Sequence, residues 1–148
     1  KSIETNYRRS KYFDEVSNIL KPLYFENEFK LLSDLNTKFI LRILDYLSLK
    51  TKINSSSNFL TSKDKNQRLI DILMKLNADI YFSGPAAKSY INEEEFKKVG
   101  IEIFWMNYSD YPIYDQLWGP FVHEVSVIDL LFNCGKNSIK YMKSGNLH

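Results

Sequence analysis

Two spacings of apolar residues alternate along this chain, one suited to helices and one to strands. The clearest example lies between Asp64 and Pro85. Leu69, Ile70, Leu73 and Leu76 recur at one-turn intervals and predict a helix with an apolar stripe. Asp64 and Gln67 have the spacing of a helix cap and its reciprocal partner, and Asn77 suits the left-handed residue that closes a helix. Ile80, Tyr81 and Phe82 then form a short run suited to a strand covered on both faces. Ser83-Gly84-Pro85 ends it, because proline continues neither a strand nor a helix.

Upstream, Ile3, Tyr7, Tyr12, Phe13, Val16, Ile19 and Leu20 predict a helix over residues 2–20, with Arg8, Arg9 and Lys11 on its other side and Pro22 ending or breaking it. Leu32, Leu35, Phe39, Ile43, Leu44 and Leu47 predict a second helix from about Ser33 to Leu49. Thr51-Lys52-Ile53-Asn54 predicts a short strand, followed by a serine-rich loop. Downstream, Asn92 with Glu95, and then Gly100, bracket another helix. Ile101–Met106 is the clearest strand, and Asn107–Pro120 reads as an irregular aromatic loop. Ser126 with Asp129 opens a helix through Phe132 with Gly135 at its end, and a last short helix is expected over Ser138–Lys143.

Strands alternating with helices imply an α/β fold: a small parallel, Rossmann-like sheet of about three strands flanked by helices, with an N-terminal helical hairpin. A length of 148 residues suits a single α/β domain over 1–148. Lys1 stands almost at once inside an amphipathic pattern, so the chain is expected to be the C-terminal part of a longer protein.

Composition narrows the partners. A net charge of +2, with basic and acidic residues interleaved, argues against nucleic acid. No apolar run approaches the roughly 20 residues that span a bilayer, so membrane insertion is not expected. The opening residues carry no signal-peptide pattern, and the single Cys134 cannot form an internal disulfide, so the expected compartment is the cytoplasm. Aromatics at 15% suggest a core built on rings.

Candidate chemistry falls in two stretches. Ser83, Gly84 and Pro85 with Lys88 and Tyr90 stand at the mouth of a predicted strand, where backbone amides and a lysine would hold an anion or a sugar. The plain alternative is a turn that redirects the chain. Arg68 and Asp71 lie three apart on the preceding helix, where they would pair on a solvated face or, for Arg68, reach a ligand. In the aromatic loop, Tyr111, Tyr114, Asp115 and Trp118 combine flat faces with polar tips, as ring-binding sites do, or else plug a small core. His123 beside Glu124 has the chemistry of a general acid or base, but no ligand set at metal spacing. Cys134 reads as a small buried residue, since no base can be assigned to it.

Three blocks in order, RLIDILMKLNADIYFSGPAAKSYI, GIEIFWMNYSDYPIYDQLWGPF and SVIDLLFNCG, with the opening IETNYRRSKYF, resemble the WbqC-like protein family. The resemblance implies a bacterial cytoplasmic protein associated with O-antigen and other surface-polysaccharide gene clusters. Carried onto matching positions, it offers Arg68, Asp71, Ser83, Gly84, Pro85, Tyr90, Gln116, Trp118, Gly119, Asp129 and Asn133 as site residues. Asp129 from this set, and His123 from its own acid–base chemistry at a point where the chain departs from the family's pattern, are the candidate catalytic groups, with no metal ligand and no cofactor named. The expected function is a transferase, or part of one, acting on an activated sugar or an aminoacyl or nucleotidyl donor. The alternative is a non-catalytic scaffold for a glycan-biosynthesis partner, with a partner protein or an upstream segment completing the pocket.

Overall fold

The computed structural model describes residues 2–25, 29–109 and 111–142. In chain order its elements are α1 (Ser2–Tyr7), α2 (Phe13–Phe25), α3 (Leu32–Tyr46), α4 (Lys65–Lys75), β1 (Ile80–Ser83), α5 (Glu93–Lys98), β2 (Glu102–Trp105) and α6 (Val127–Cys134). Short 3₁₀ turns occupy Ser56–Asn58, Pro85–Ser89 and Gly135–Tyr141. The chain divides into two compact units, one of residues 1–51 with 109–148 and the other of 52–108.

The first unit is helical. The helix expected over 2–20 is two helices, because the backbone between them bonds elsewhere. Ser10 Oγ donates to Tyr7 O at 2.7 Å, and Tyr12 N donates to Phe132 O at 3.1 Å, tying the break to α6. Pro22 does not end α2 but lies inside it. The face carrying Val16, Leu20 and Leu23 is buried, and that burial offsets the backbone bond the proline cannot make. α3 stops at Tyr46 because Ser48 takes φ 57° and Leu49 N bonds back to Leu44 O at 2.8 Å. The core joins Val16 and Leu20 to Tyr46, Leu47, Leu131 and Phe132. Phe132 stacks on Tyr7 and Phe13 at centroid separations of 4.9 and 5.6 Å.

The second unit holds a parallel pair, β1 beside β2, in register from Ile80↔Glu102 to Ser83↔Trp105. Tyr81, Ile103 and Trp105 pack on a core of Ile70, Leu73, Ala87, Ile91, Phe96 and Ile101. Asp64 caps α4 by accepting from Gln67 N at 2.9 Å. Asn77 (φ 51°) closes α4, and Gly100 (φ 79°) closes α5.

Three expectations are corrected here. Among the described residues the sheet has two strands rather than about three, since Thr51–Asn54 is irregular and all four of its side chains are exposed. A strand with no buried face has no apolar gain to set against its ordering cost. β1 is also not covered on both faces: Ile80, Phe82 and Phe104 stand about half exposed on the side opposite the core. The last helix is a 3₁₀ turn ending at Tyr141, and Lys143 lies outside the described residues.

Candidate functional site

A cleft of about 510 Å³ opens in the first unit. Four stretches build it: Arg9 to Tyr12 between α1 and α2, Asp115 to Leu117 of the aromatic loop, Asn133 and Cys134 at the end of α6, and Asn137, Lys140 and Tyr141 of the final 3₁₀ turn. Three cations (Arg9, Lys11 and Lys140) meet a single carboxylate, Asp115. Among the described residues none of the three is ion-paired, and the Lys11 ammonium sits 5.3 Å from the centroid of the Tyr12 ring. Gln116, Asn133 and Asn137 add amides, and Tyr12 and Tyr141 add rings.

Behind this lining lies a buried carboxylate. Asp129 is 8% exposed and receives four donors. Tyr114 Oη donates to Oδ1 at 2.7 Å, Asn133 Nδ2 at 3.2 Å and Gln116 Nε2 at 3.3 Å, while Tyr7 Oη donates to Oδ2 at 3.0 Å. A buried charge without a cation persists only when such bonds occupy its lone pairs. Asp129 can serve as this hub because Ser126, not Asp129, caps α6, its hydroxyl accepting from Ile128 N at 3.3 Å. Gln116 is fixed twice more: its Nε2 donates to Val122 O and its Oε1 accepts from Val122 N, both at 2.9 Å. Asn133 Nδ2 also donates to Asp129 O at 2.9 Å, which among the described residues leaves Oδ1 as the free edge of that amide.

The same burial governs the acids around the hub. Burial first, and then the bond to Asp129 and its charge, push the Tyr7 phenol up to about 12. Burial also raises the Tyr114 phenol; the Gln116 bond opposes this and Asp129 adds to it. Burial and the charges of Asp129 and Asp115 push the Cys134 thiol up to about 11, leaving it protonated at neutral pH and a poor nucleophile.

The aromatic loop is held by its own rings. Tyr114 stands edge-on to Phe121 and Tyr141 at 5.1 and 5.6 Å, and Trp118 Nε1 donates to Asn6 O at 2.8 Å. Among the described residues no group of three His, Cys, Asp or Glu is placed to hold a metal ion, and no helix is long and apolar enough to cross a membrane.

The sequence pattern of the WbqC-like protein family matches residues 1–141, the whole of both the hub and the cleft. The chain belongs to that family. This WbqC-like chain is 35% identical over 143 residues to the uncharacterized protein Rv1507c of Mycobacterium tuberculosis. The match covers 97% of the chain and 62% of that relative, so the chain spans less than two thirds of the relative's length. No solved structure matches it.

The site residues expected of a WbqC-like chain fall into the two units. In the first, Tyr114, Gln116, Asn133 and Asp129 come together as one network. Trp118 is 58% exposed, Gly119 takes φ 58°, Tyr111 is half-buried, and His123 is exposed with its ring edge-on to Phe121 at 4.7 Å.

The second unit holds Arg68, Asp71, Ser83, Gly84, Pro85, Lys88 and Tyr90. The expected Arg68–Asp71 pair is not formed. Arg68 Nε donates to Thr61 Oγ1 at 3.3 Å, while Asp71 accepts from Ser62 N and Gln67 Nε2, each at 2.8 Å. Each carboxylate oxygen thus accepts one short bond: the Gln67 bond runs along α4, and the Ser62 bond ties the loop ahead of α4 to the helix. Ser83 is buried, and its carbonyl accepts from Met106 N at 2.8 Å. A side chain on Gly84 would meet the Tyr108 hydroxyl at 3.2 Å, and Pro85 opens the following 3₁₀ turn. The Lys88 ammonium lies 5.4 Å from the Trp105 ring centroid, and Trp105 Nε1 donates to Glu93 Oε1 at 3.0 Å. Tyr90 carries Lys65 over its ring at 5.7 Å, and its carbonyl accepts from Asn66 Nδ2 at 3.1 Å.

Sequence reasoning missed Arg9, Lys11, Asn137 and Lys140 as cleft-lining residues. For Arg9 and Lys11 the signal was faint: the helical spacing falters between Arg8 and Tyr12, which marks a turn free to present side chains.

Proposed function

We propose that this chain works in bacterial surface-polysaccharide assembly, such as O-antigen biosynthesis, as a transferase or part of one. Its donor would be an activated sugar or an aminoacyl or nucleotidyl group, held in the first-unit cleft and used in the cytoplasm. The observation that carries the reading is the cleft itself, polar, flanked by rings and edged by three cations without ion-pair partners among the described residues. Arg9, Lys11 and Lys140 would neutralise the donor's anionic group, and Tyr12 and Tyr141 would lie along its ring. Asp129 acts through its neighbours in this reading: with four donors on its oxygens it positions Tyr114, Gln116 and Asn133. His123, exposed on the loop, is the remaining acid–base group. The parallel β1–α5–β2 crossover supports a Rossmann-like reading of the second unit.

A second reading, a scaffold for a biosynthetic partner, is favoured by one feature of the second unit. Phe82 and Phe104 lie side by side on the open side of the sheet, ring centroids 5.1 Å apart and planes tilted at 52°, and are 49% and 51% exposed. Thermal shift separates the two. Stabilisation by nucleotide sugars or nucleotides that is lost in Arg9→Ala supports the transferase. No shift with any such compound, together with a partner lost on Phe82→Ser, supports the scaffold.

A further inference from the structure

We infer that the first-unit cleft takes a doubly negative phosphate ester of a hydroxylated compound, its phosphoryl oxygens on Arg9, Lys11 and Lys140 and a hydroxyl on Asn133. This deepens the donor-site reading above and rests on it for the location alone. Charge comes first: three cations and one carboxylate in the lining leave a surplus of two positive charges. Among the described residues no carboxylate forms an ion pair with these cations, and Lys11 has only the Tyr12 ring beside it, so an incoming dianion would supply the ion-pair partner they lack. An uncharged sugar would leave that surplus unused. Arginine offers a planar fork and the lysines compact point charges, a combination suited to several oxygens on one phosphorus centre.

Direction follows from the amides. Asn133 Nδ2 donates twice to Asp129, to its carbonyl at 2.9 Å and to Oδ1 at 3.2 Å. What remains of this cleft-lining amide is an acceptor, and Asp115 is an acceptor too. Acceptors repel phosphoryl oxygens and receive hydroxyl donors. The phosphate therefore belongs with the cations and the hydroxyls with Asn133 and Asp115. A volume of about 510 Å³ lies within the range of small-molecule pockets.

Isothermal titration of the chain with glucose 1-phosphate, uridine diphosphate glucose, inorganic phosphate and glucose tests this. Both esters, or one of them, should bind at least about tenfold tighter than inorganic phosphate, and glucose should not bind measurably. The ester that binds tighter tells whether the phosphate comes from a monoester or a diphosphate. Arg9→Gln, Lys11→Gln and Lys140→Gln should each weaken the ester about tenfold and reduce its salt dependence. All three residues are exposed, and unchanged circular dichroism checks the fold. Asn133→Ala should weaken the ester and leave inorganic phosphate alone, while Lys97→Gln, on α5, should change nothing. Binding of neither ester, glucose binding as well as its phosphate, or all three cation variants within about twofold of the parent would overturn the inference. Ester binding as described without transfer to any acceptor would leave it standing and remove the proposed transferase activity.

Discussion

The ring of Tyr12 leaves Gly135 no room for a side chain. A β-carbon there would stand 2.5 Å from Tyr12 Cδ1 and 2.7 Å from Cε1, and the glycine itself takes φ 56°. One contact thus sets both the end of α6 and the Tyr12 wall of the cleft. Gly135→Ala adds backbone strain and a clash, and is expected to lower the unfolding free energy by about 2–4 kcal/mol. Urea unfolding followed by circular dichroism measures it; a loss no larger than that of an exposed alanine substitution would contradict the packing.

Asp129→Ala removes the acceptor for four donors, two of them tyrosine hydroxyls in part-buried bonds. Unfolding free energy should fall by about 2–5 kcal/mol, against about 1 kcal/mol for Tyr7→Phe, which removes one donor and leaves the other bonds in place. Combined with Asp129→Ala, the Tyr7→Phe change should cost almost nothing more, because its partner is already gone. Additive losses in that double-mutant cycle would show that the hub does not act as a unit.

Alkali should weaken the first unit. Tyr7 is raised from 10.0 to about 12, and Cys134 from 9.0 to about 11. A raised acid stabilises the folded state fully below its unfolded value, and that contribution is lost as pH climbs through the folded value. Stability should hold to about pH 9 and decline between there and 12, with phenolate absorbance of Tyr7 appearing late. Tyr7→Phe should flatten the decline. A pH profile identical to the parent's would count against the burial of this phenol.

Acid should act on the second unit through Asp71, whose carboxyl is held below the usual 3.8 by the Gln67 bond, then the Ser62 amide and the charge of Lys75. A depressed carboxyl contributes stability above its unfolded value and loses it as pH falls through the lower folded one. Asp71→Asn should therefore be less stable than the parent near neutrality, with the difference shrinking below pH 3.8. Melting curves across that range decide it, and a gap that is constant with pH would refute the bonding pattern.

The thiol of Cys134 is buried and raised, so a thiol reagent should modify the native chain slowly at neutral pH and rapidly once it is unfolded. Ligand in the cleft should slow the native reaction further, since Cys134 lines it. Rapid native labelling would show that the thiol is open.

What sequence determines here is local. Helical spacing places α4 and α6, and Asn77, Gly100 and Gly135 mark chain reversals because each sits one residue beyond an apolar stripe. The strands β1 and β2 are legible from short apolar runs, and the family from the order of its blocks. Ser48 escapes such a reading because serine in the left-handed region is held there by the packing of Leu47 and the return bond from Leu49. Thr51–Asn54 misleads it because alternation alone does not say whether a face will be buried. Asp129 escapes for a related reason: its place three after Ser126 reads as a cap partner, whereas its donors include Tyr7, 122 residues away in the chain. Arg9, Lys11 and Lys140 become neighbours only when the α1–α2 turn and the last 3₁₀ turn meet around one cleft. Propensity acts over a few residues and is written in the chain; charge and hydrogen bonding act through space, so only the tertiary structure decided which distant side chains share a site.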